Sequence, residues 1–210
     1  MKKNKISTAV VRRLPKYYRH LGDLERLGES KISSQNLSEK TGFTASQIRQ
    51  DLNHFGAFGQ QGYGYKISDL KDAITEIIGL DKPYKAIILG FGHIGQAIYN
   101  YKGFDVEKFD VVAVFDIEEK EVGGVRTTPI SDLKEFLRDN PVDIAVVTLP
   151  VEVAQEVCDQ FEEGMIKAIW NFAPTDIKVN FNIPVESVHL SESLYSLIYY
   201  LWNMDNYKQK

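Results

Sequence analysis

Apolar residues return every three or four positions in several stretches between residues 7 and 80, and after residue 83 the pattern changes to short unbroken apolar runs alternating with helical stretches. In "KYYRHLGDLERLG", positions 17, 21, 24 and 27 form one helical stripe; Ser7 can cap a stretch before it, and Pro15 suits the first turn of the helix that continues it. "SSQNLSEKTG" predicts a short helix opened by Ser33 or Ser34 and stopped by Gly42. Two residues later Thr44 and Gln47 form a capping box, with Ile48, Leu52 and Phe55 as the buried face and Gly56 as the stop. Two short helices joined by "TGFT" have helix-turn-helix spacing. "GAFGQQGYGYKI" then places glycines at 56, 59, 62 and 64 among aromatics at 58, 63 and 65, which suits a tight hairpin, and "SDLKDAITEIIGL" closes the unit as a helix.

The later runs differ. "YKAIILGFGHIGQAIYNY" reads as strand, glycine turn and helix, "FDVVAVFD" as a second strand, and "SDLKEFLRDN", "VDIAVVTLP", "VEVAQEVCDQFEEGM" and "IKAIWNFAP" continue the alternation. The expected architecture is α/β: an N-terminal winged helix-turn-helix over 1–80, a Rossmann-like doubly wound parallel sheet over 81–189, and a C-terminal helix and tail over 190–210. The last segment, "SESLYSLIYYLWNM", is apolar on more than one side, with Leu194, Leu197, Ile198 and Leu201 on one face and Tyr195, Tyr199 and Trp202 on another. Such a helix must be buried on several sides, either as a sheet-covering helix or by packing between domains of a second subunit.

Charge sharpens this division. Residues 1–80 carry thirteen Lys and Arg against eight Asp and Glu, whereas residues 81–210 carry twelve against twenty-one. The basic third fits either a polyanion partner or a solvated face. No stretch approaches the roughly 18 to 20 apolar residues of a membrane span, and the N-terminus has no apolar region behind its charges, so a cytoplasmic protein is expected. Cys158 is alone, on a helical pattern that suits a structural thiol, and the four histidines lack ligand spacing; no metal is expected.

Two groups of residues carry candidate chemistry. On the third helix, Ser46, Gln47, Arg49, Gln50 and Asn53 should face outward, where amides and hydroxyls can read base edges and Arg49 can hold a guanine or a phosphate; a protein-binding three-helix module is the alternative. In the second domain Gly90, Gly92 and Gly95 form G-x-G-x-x-G, with Phe91, His93 and Ile94 between them. The first glycine permits the turn, the second admits a pyrophosphate and the third packs helix on strand. Asp116, twenty-one residues beyond Gly95, ends the second strand, where a carboxylate accepts both ribose hydroxyls and repels a 2′-phosphate; NAD(H) is therefore expected over NADP(H). The loops Thr148, Leu149, Pro150 and Asn171, Phe172, Ala173, Pro174 fall on the same carboxyl edge. No carboxylate–histidine pair stands in these loops to move a proton beside a hydride, which suggests sensing without catalysis.

Taken in order, "RLPKYYRHL", "ISSQNLSEKTG", "QIRQDLNHFGAFG" with "GYGY", "GFGHIG", "VFD", "NFAP" and "LSESLYSLIYYL" resemble the Rex family of NADH-sensing transcriptional repressors over nearly the whole chain. The resemblance implies a homodimer whose C-terminal helices swap, winged helices on palindromic double-stranded operator DNA, and release when NADH replaces NAD+. It implies further that Tyr101, Phe172 and Pro174 lie in or near the cofactor pocket, and that Arg19 and Tyr101 couple to an acidic residue of the partner, a position here held by His189. A histidine cannot be the anionic partner of Arg19. The family's basic residue on the recognition helix is Gln50 here, and its wing Arg is Gln61. The DNA-facing set implied is Arg12, Arg13, Lys31, Thr44, Ser46, Gln47, Arg49, Gln50, Asn53, Gln61 and Tyr63, with weaker and less salt-sensitive binding or an altered operator expected from the two glutamines. Rival readings are an NAD-dependent oxidoreductase with an accessory domain, and a cofactor-sensing dimer that binds protein in place of DNA.

Overall fold

The computed structural model describes residues 6–53, 59–60, 64–104 and 108–207; of residues 59, 60 and 205–207 only the backbone is described. The chain divides into two compact units, Met1–Lys82 and Pro83–Lys210.

The first unit begins with α1 (Thr8–Arg26), whose N-terminus is capped by the Ser7 hydroxyl accepting from the Val10 N–H. Helix α1 is continuous, so Pro15 lies inside it instead of opening a second helix. Pro15 and Val11, whose carbonyl loses its N–H partner to the proline, both lie on the exposed side of the helix. The stripe that holds the helix down is Val10, Leu14, Tyr17, Leu21 and Leu24, all buried. Leu27, expected to extend that stripe, is 76% exposed because the helix stops at Arg26 and the chain turns through Gly28 at φ +81°.

Then follow β1 (Lys31–Ile32), α2 (Ser34–Thr41) and α3 (Ala45–Asn53). Ser33 caps α2 by accepting from the Asn36 N–H, and Gly42 ends it at φ +74°. The capping box of α3 is complete: the Gln47 N–H donates to Thr44 Oγ1 at 3.1 Å, and the Thr44 N–H donates to Gln47 Oε1 at 3.0 Å. Ile48 and Leu52 are buried as expected; Phe55, Gly56, Phe58, Gly62 and Tyr63 lie outside the described residues. β2 (Gly59–Gln60) and β3 (Gly64–Lys66) pair antiparallel, and β3 also pairs with β1, giving a three-stranded wing. Gly64 is required at φ +72°, where an added Cβ would stand 2.7 Å from the Ile32 carbonyl oxygen. Helix α4 (Ile67–Ile78) buries Ile67, Leu70 and Ile74 in the same core and stops at Gly79. This is a winged helix-turn-helix.

The second unit contains β4 (Tyr84–Leu89), α5 (His93–Tyr99), β5 (Phe109–Asp116), the hairpin of β6 (Glu121–Val122) and β7 (Val125–Arg126), then β8 (Thr128–Pro129), α6 (Leu133–Asp139), β9 (Ile144–Val147), α7 (Val151–Cys158), β10 (Ala168–Asn171) and β11 (Val185–Ser187). Six strands form one parallel sheet in the order β11-β10-β9-β4-β5-β8. The order reverses at β4, which is flanked by β5 and β9, and ligands of such sheets bind in the crevice at that reversal. Ile87, Leu89, Ala145, Val147 and Ile169 pack against α6 and α7 on one face, and Ile88, Phe91, Val114 and Val146 lie on the other. Cys158 belongs to the first of these cores, where burial pushes its thiol up to about 12, so it is inert.

Helix α8 (Leu190–Tyr207) behaves unlike either expectation for an ordinary covering helix. Leu194, Tyr195, Leu197, Ile198, Tyr199, Leu201 and Trp202 are all 50–69% exposed, so among the described residues neither apolar face of the helix is buried. No helix among the described residues is long and apolar enough to cross a membrane.

Candidate functional site

The glycine turn joins the end of β4 to the start of α5. Gly90 takes φ +91°, and a Cβ there would stand 3.0 Å from the Thr148 carbonyl oxygen; a Cβ on Gly95 would collide with the Gly90 carbonyl oxygen. Gly92 differs: a Cβ on it would meet no atom within 4 Å, so its bare backbone borders open space. Two glycines therefore let the turn close on itself, and the third leaves room for something outside the chain.

Asp116 ends β5 beside this turn, 8% exposed. Its Oδ2 accepts the Phe91 N–H at 3.1 Å and pairs with Lys120 Nζ at 2.7 Å, and its Oδ1 accepts the Ile117 N–H at 2.7 Å. Burial by itself would raise this pKa, but the Lys120 ammonium and the two backbone N–H groups outweigh it and hold the carboxyl below its ordinary value. The acid is thus ionised and tied to the glycine turn through Phe91.

The remaining candidates fall into two kinds. Phe91, Leu149, Asn171 and Ala173 are buried and build the edge of the crevice. Asn171 Nδ2 donates to the Thr175 carbonyl and to Ser187 Oγ, and its Oδ1 accepts the Ala173 N–H, so this side chain folds its own loop and is not free to hold a ligand. Thr148 likewise spends its hydroxyl on the carbonyls of Gly90, at 2.6 Å, and Leu89. Gly92, His93, Ile94, Pro150 and Pro174 are exposed and Phe172 half-buried, so these are the groups with surface to offer. Tyr101 is exposed and lines a cavity of about 240 Å³ with Ile98, Tyr99, Phe104, Phe109, Asp110 and Val111. That cavity lies at the start of β5, whereas Asp116 ends the strand, and Tyr99 of its lining packs edge-on against Phe91 of the glycine turn, 5.8 Å between ring centroids. His189 Nε2 lies 3.8 Å from Asp176 Oδ1, so an acidic side chain does stand beside this histidine, from a loop the sequence pattern did not single out.

On the first unit, α3 exposes Ser46, Gln47, Arg49, Gln50 and Asn53 together. Arg49 donates to Ser34 Oγ at 2.9 Å, which links the outer face of α3 to the start of α2. Thr44 and Gln47 are partly engaged in the cap. Arg13 is a correction: its Nε and Nη2 both bind the Asp51 carboxylate at 2.7 Å, so it braces the recognition helix and is not a free phosphate contact. Arg12, Lys16 and Arg19 line an open groove with Pro15 along α1. Gln61 and Tyr63 lie outside the described residues, and Lys31 is exposed on β1.

Known proteins share this arrangement. Residues 5–53 match the family described as "Putative DNA-binding protein N-terminus", and residues 81–175 match the CoA binding domain family. A redox-sensing transcriptional repressor Rex of Clostridium botulinum (strain Alaska E43 / Type E3) is 52% identical over 206 residues, covering 96% of this chain and 98% of that protein. The chain belongs to the Rex family. The Rex repressor of Clostridium kluyveri is 50% identical over 200 residues, covering 93% of this chain and 95% of its own length. Among solved structures, the Rex-family repressor RSP in complex with β-NAD+ and operator DNA has a TM-score of 0.86 at 44% identity, covering 97% of this chain and 96% of that one. RSP in complex with β-NADH has a TM-score of 0.87 at 41% identity, covering 98% and 99%.

Proposed function

We propose that this Rex-family chain is a transcriptional repressor that binds palindromic operator DNA as a homodimer and leaves it when NADH replaces NAD+. The observation that carries this reading is the union in one chain of a capped recognition helix with polar outward residues and a glycine turn whose neighbouring carboxylate is ionised. The RSP complexes with β-NAD+ and operator DNA, and with β-NADH, support it from similar proteins. NAD(H) is preferred to a coenzyme A ligand, the subject of the matching domain family, because an anionic Asp116 opposes a phosphate on the adenosine ribose.

Gly90, Gly92 and Gly95 would cradle the pyrophosphate, Asp116 would take the adenosine ribose, and Phe172 and Pro174 would border the nicotinamide. When bound, the cofactor supplies a ring that is cationic when oxidised and neutral and puckered when reduced. We read that difference as a signal and not as a step in turnover. The chain converts it by its differential affinity for two dimer shapes; each ~1.4 kcal/mol of difference changes their ratio tenfold. The exposed apolar faces of α8 are suited to exchange between subunits, which would cover them. Two recognition helices must meet half-sites about 34 to 36 Å apart, so a small rotation between subunits ends simultaneous engagement. Arg12, Lys31 and Arg49 are the cations left to hold phosphates, and Ser46, Gln50 and Asn53 the side chains that read bases. Tyr101, Arg19 and His189 would act between subunits.

Selection of DNA sequences by the purified chain, with and without NADH, tests this reading. A palindromic site enriched only without NADH is expected. Recovery of no sequence in either condition would favour a protein partner, and steady consumption of NADH with a carbonyl compound would favour an oxidoreductase. Leu197→Asp should convert a dimer to monomers in sedimentation.

A further inference from the structure

Lys120 was not among the residues that the sequence pattern marked for binding, yet its ammonium stands in the crevice at the end of β5. Its backbone is fixed: the Lys120 N–H donates to Thr127 Oγ1 at 3.0 Å, and its carbonyl accepts the Thr127 N–H at 2.9 Å. Thr127 is 1% exposed, so the lysine springs from a rigid anchor at the foot of the β6–β7 hairpin. Its Nζ reaches back to Asp116 Oδ2 at 2.7 Å, and the side chain keeps 44% of its surface in contact with solvent.

Counting lone pairs gives this contact its meaning. A carboxylate has about four acceptor positions. On Asp116, Oδ2 already serves the Phe91 N–H and Lys120, and Oδ1 serves the Ile117 N–H. About one position is left, on Oδ1, so this acid cannot accept from both hydroxyls of a ribose while these contacts last. An ammonium has three N–H donors, one of them spent on Asp116, and the others can donate to a hydroxyl oxygen. The same donors are well suited to a phosphate.

Resting on the NAD(H) reading above, we infer that Lys120 is a second residue of the adenosine-ribose site and also a latent 2′-phosphate-binding cation. It donates to one hydroxyl while Asp116 accepts from the other, and the charge of Asp116 keeps it from serving a 2′-phosphate. Preference for NADH over NADPH then depends on the pair and not on the acid alone. Removing the negative charge while leaving Lys120 in place exposes a cation at the position where a 2′-phosphate would enter.

Titration of the full-length chain with NADH and with NADPH, followed by calorimetry, tests this. Lys120→Met retains the bulk of an exposed side chain and should weaken NADH about tenfold, the loss of one charge-assisted hydrogen bond. Asp116→Asn, close in shape to the native residue, should weaken NADH and strengthen NADPH at least tenfold relative to the unsubstituted chain. The double variant should lose the gain toward NADPH. Unchanged NADH affinity in Lys120→Met, no gain for NADPH in Asp116→Asn, or a gain that survives Lys120→Met would each overturn the inference while leaving the NAD(H) reading intact. Absence of saturable NADH binding by the unsubstituted chain would remove both.

Discussion

The guanidinium of Arg13 on α1 grips the carboxylate of Asp51 on α3 through two nitrogens, each at 2.7 Å. Tyr17, fully buried, donates its hydroxyl to the same carboxylate at 2.8 Å. Burial, reinforced by the Asp51 carboxylate, raises the Tyr17 pKa, so the phenol stays a donor at neutral pH. Asp51 is 2% exposed and sits on the inner side of the helix whose outer side carries Arg49, Gln50 and Asn53. This ion pair therefore sets where the recognition helix lies on α1. Asp51→Ala strands Arg13 and should destabilise the first unit by about 3 kcal/mol, whereas Tyr17→Phe should lose about 1 kcal/mol. Denaturant unfolding measures both, and an Arg13→Ala/Asp51→Ala cycle that adds without coupling would refute the brace.

The glycine turn separates a folding requirement from a binding one. Gly95→Ala drives a methyl group into the Gly90 carbonyl, so it should lower the melting temperature and abolish NADH binding together. Gly92→Ala meets no protein atom, and Gly92 has φ −74°, which alanine adopts readily. That variant should melt as the unsubstituted chain does, yet bind NADH at least tenfold more weakly because its methyl occupies the cradle. Equal NADH titrations for Gly92→Ala and the native chain would show that the cofactor does not approach this backbone.

His20 introduces a pH dependence into the first unit. Its Nε2 is buried without a hydrogen-bond partner, and desolvation, followed by the Arg19 cation, lowers its pKa, with Asp23 opposing. The unfolded chain therefore binds a proton more readily than the folded one. Stability is fully present above the ordinary histidine pKa of about 6.5 and falls as pH drops below it, toward the lower folded value. His20→Leu should flatten this slope in denaturant melts between about pH 7 and 5. A native chain that gains stability on acidification across that range would contradict the sign.

What could be read from the residues followed from chemistry confined to a few neighbours. The Thr44–Gln47 box, the Ser33 cap, the Gly42 stop and the glycine turn were legible because each needs particular residue types at fixed spacing. Pro15 misled because a helix tolerates a proline on its exposed side when five buried side chains hold the rest. β8 and β11, two and three residues long, are too short to show a period, and β1 joins the wing only through pairing with β3. Lys120 went unmarked and Arg13 was assigned to phosphate in place of Asp51 for another reason: their partners are chosen by the fold. Lys120 reaches Asp116 across a loop, and Asp51 lies thirty-eight residues beyond Arg13.

Gln50 offers a direct measure of the DNA-reading surface. It is exposed on α3 beside Arg49 and Asn53, and as a neutral amide it brings no charge to that face. A lysine at this position adds one phosphate neutralisation per subunit, two per dimer, and each releases about 0.9 counterion. Gln50→Lys should therefore tighten binding to a selected operator and steepen the plot of log affinity against log salt by about 2. The gain should be largest at low salt and shrink as salt rises, because the added term is counterion release and not a new base contact. If the slope stays the same while sequence preference changes, position 50 reads a base edge instead of a phosphate, and the weak basic character of this helix must be made up elsewhere on the duplex.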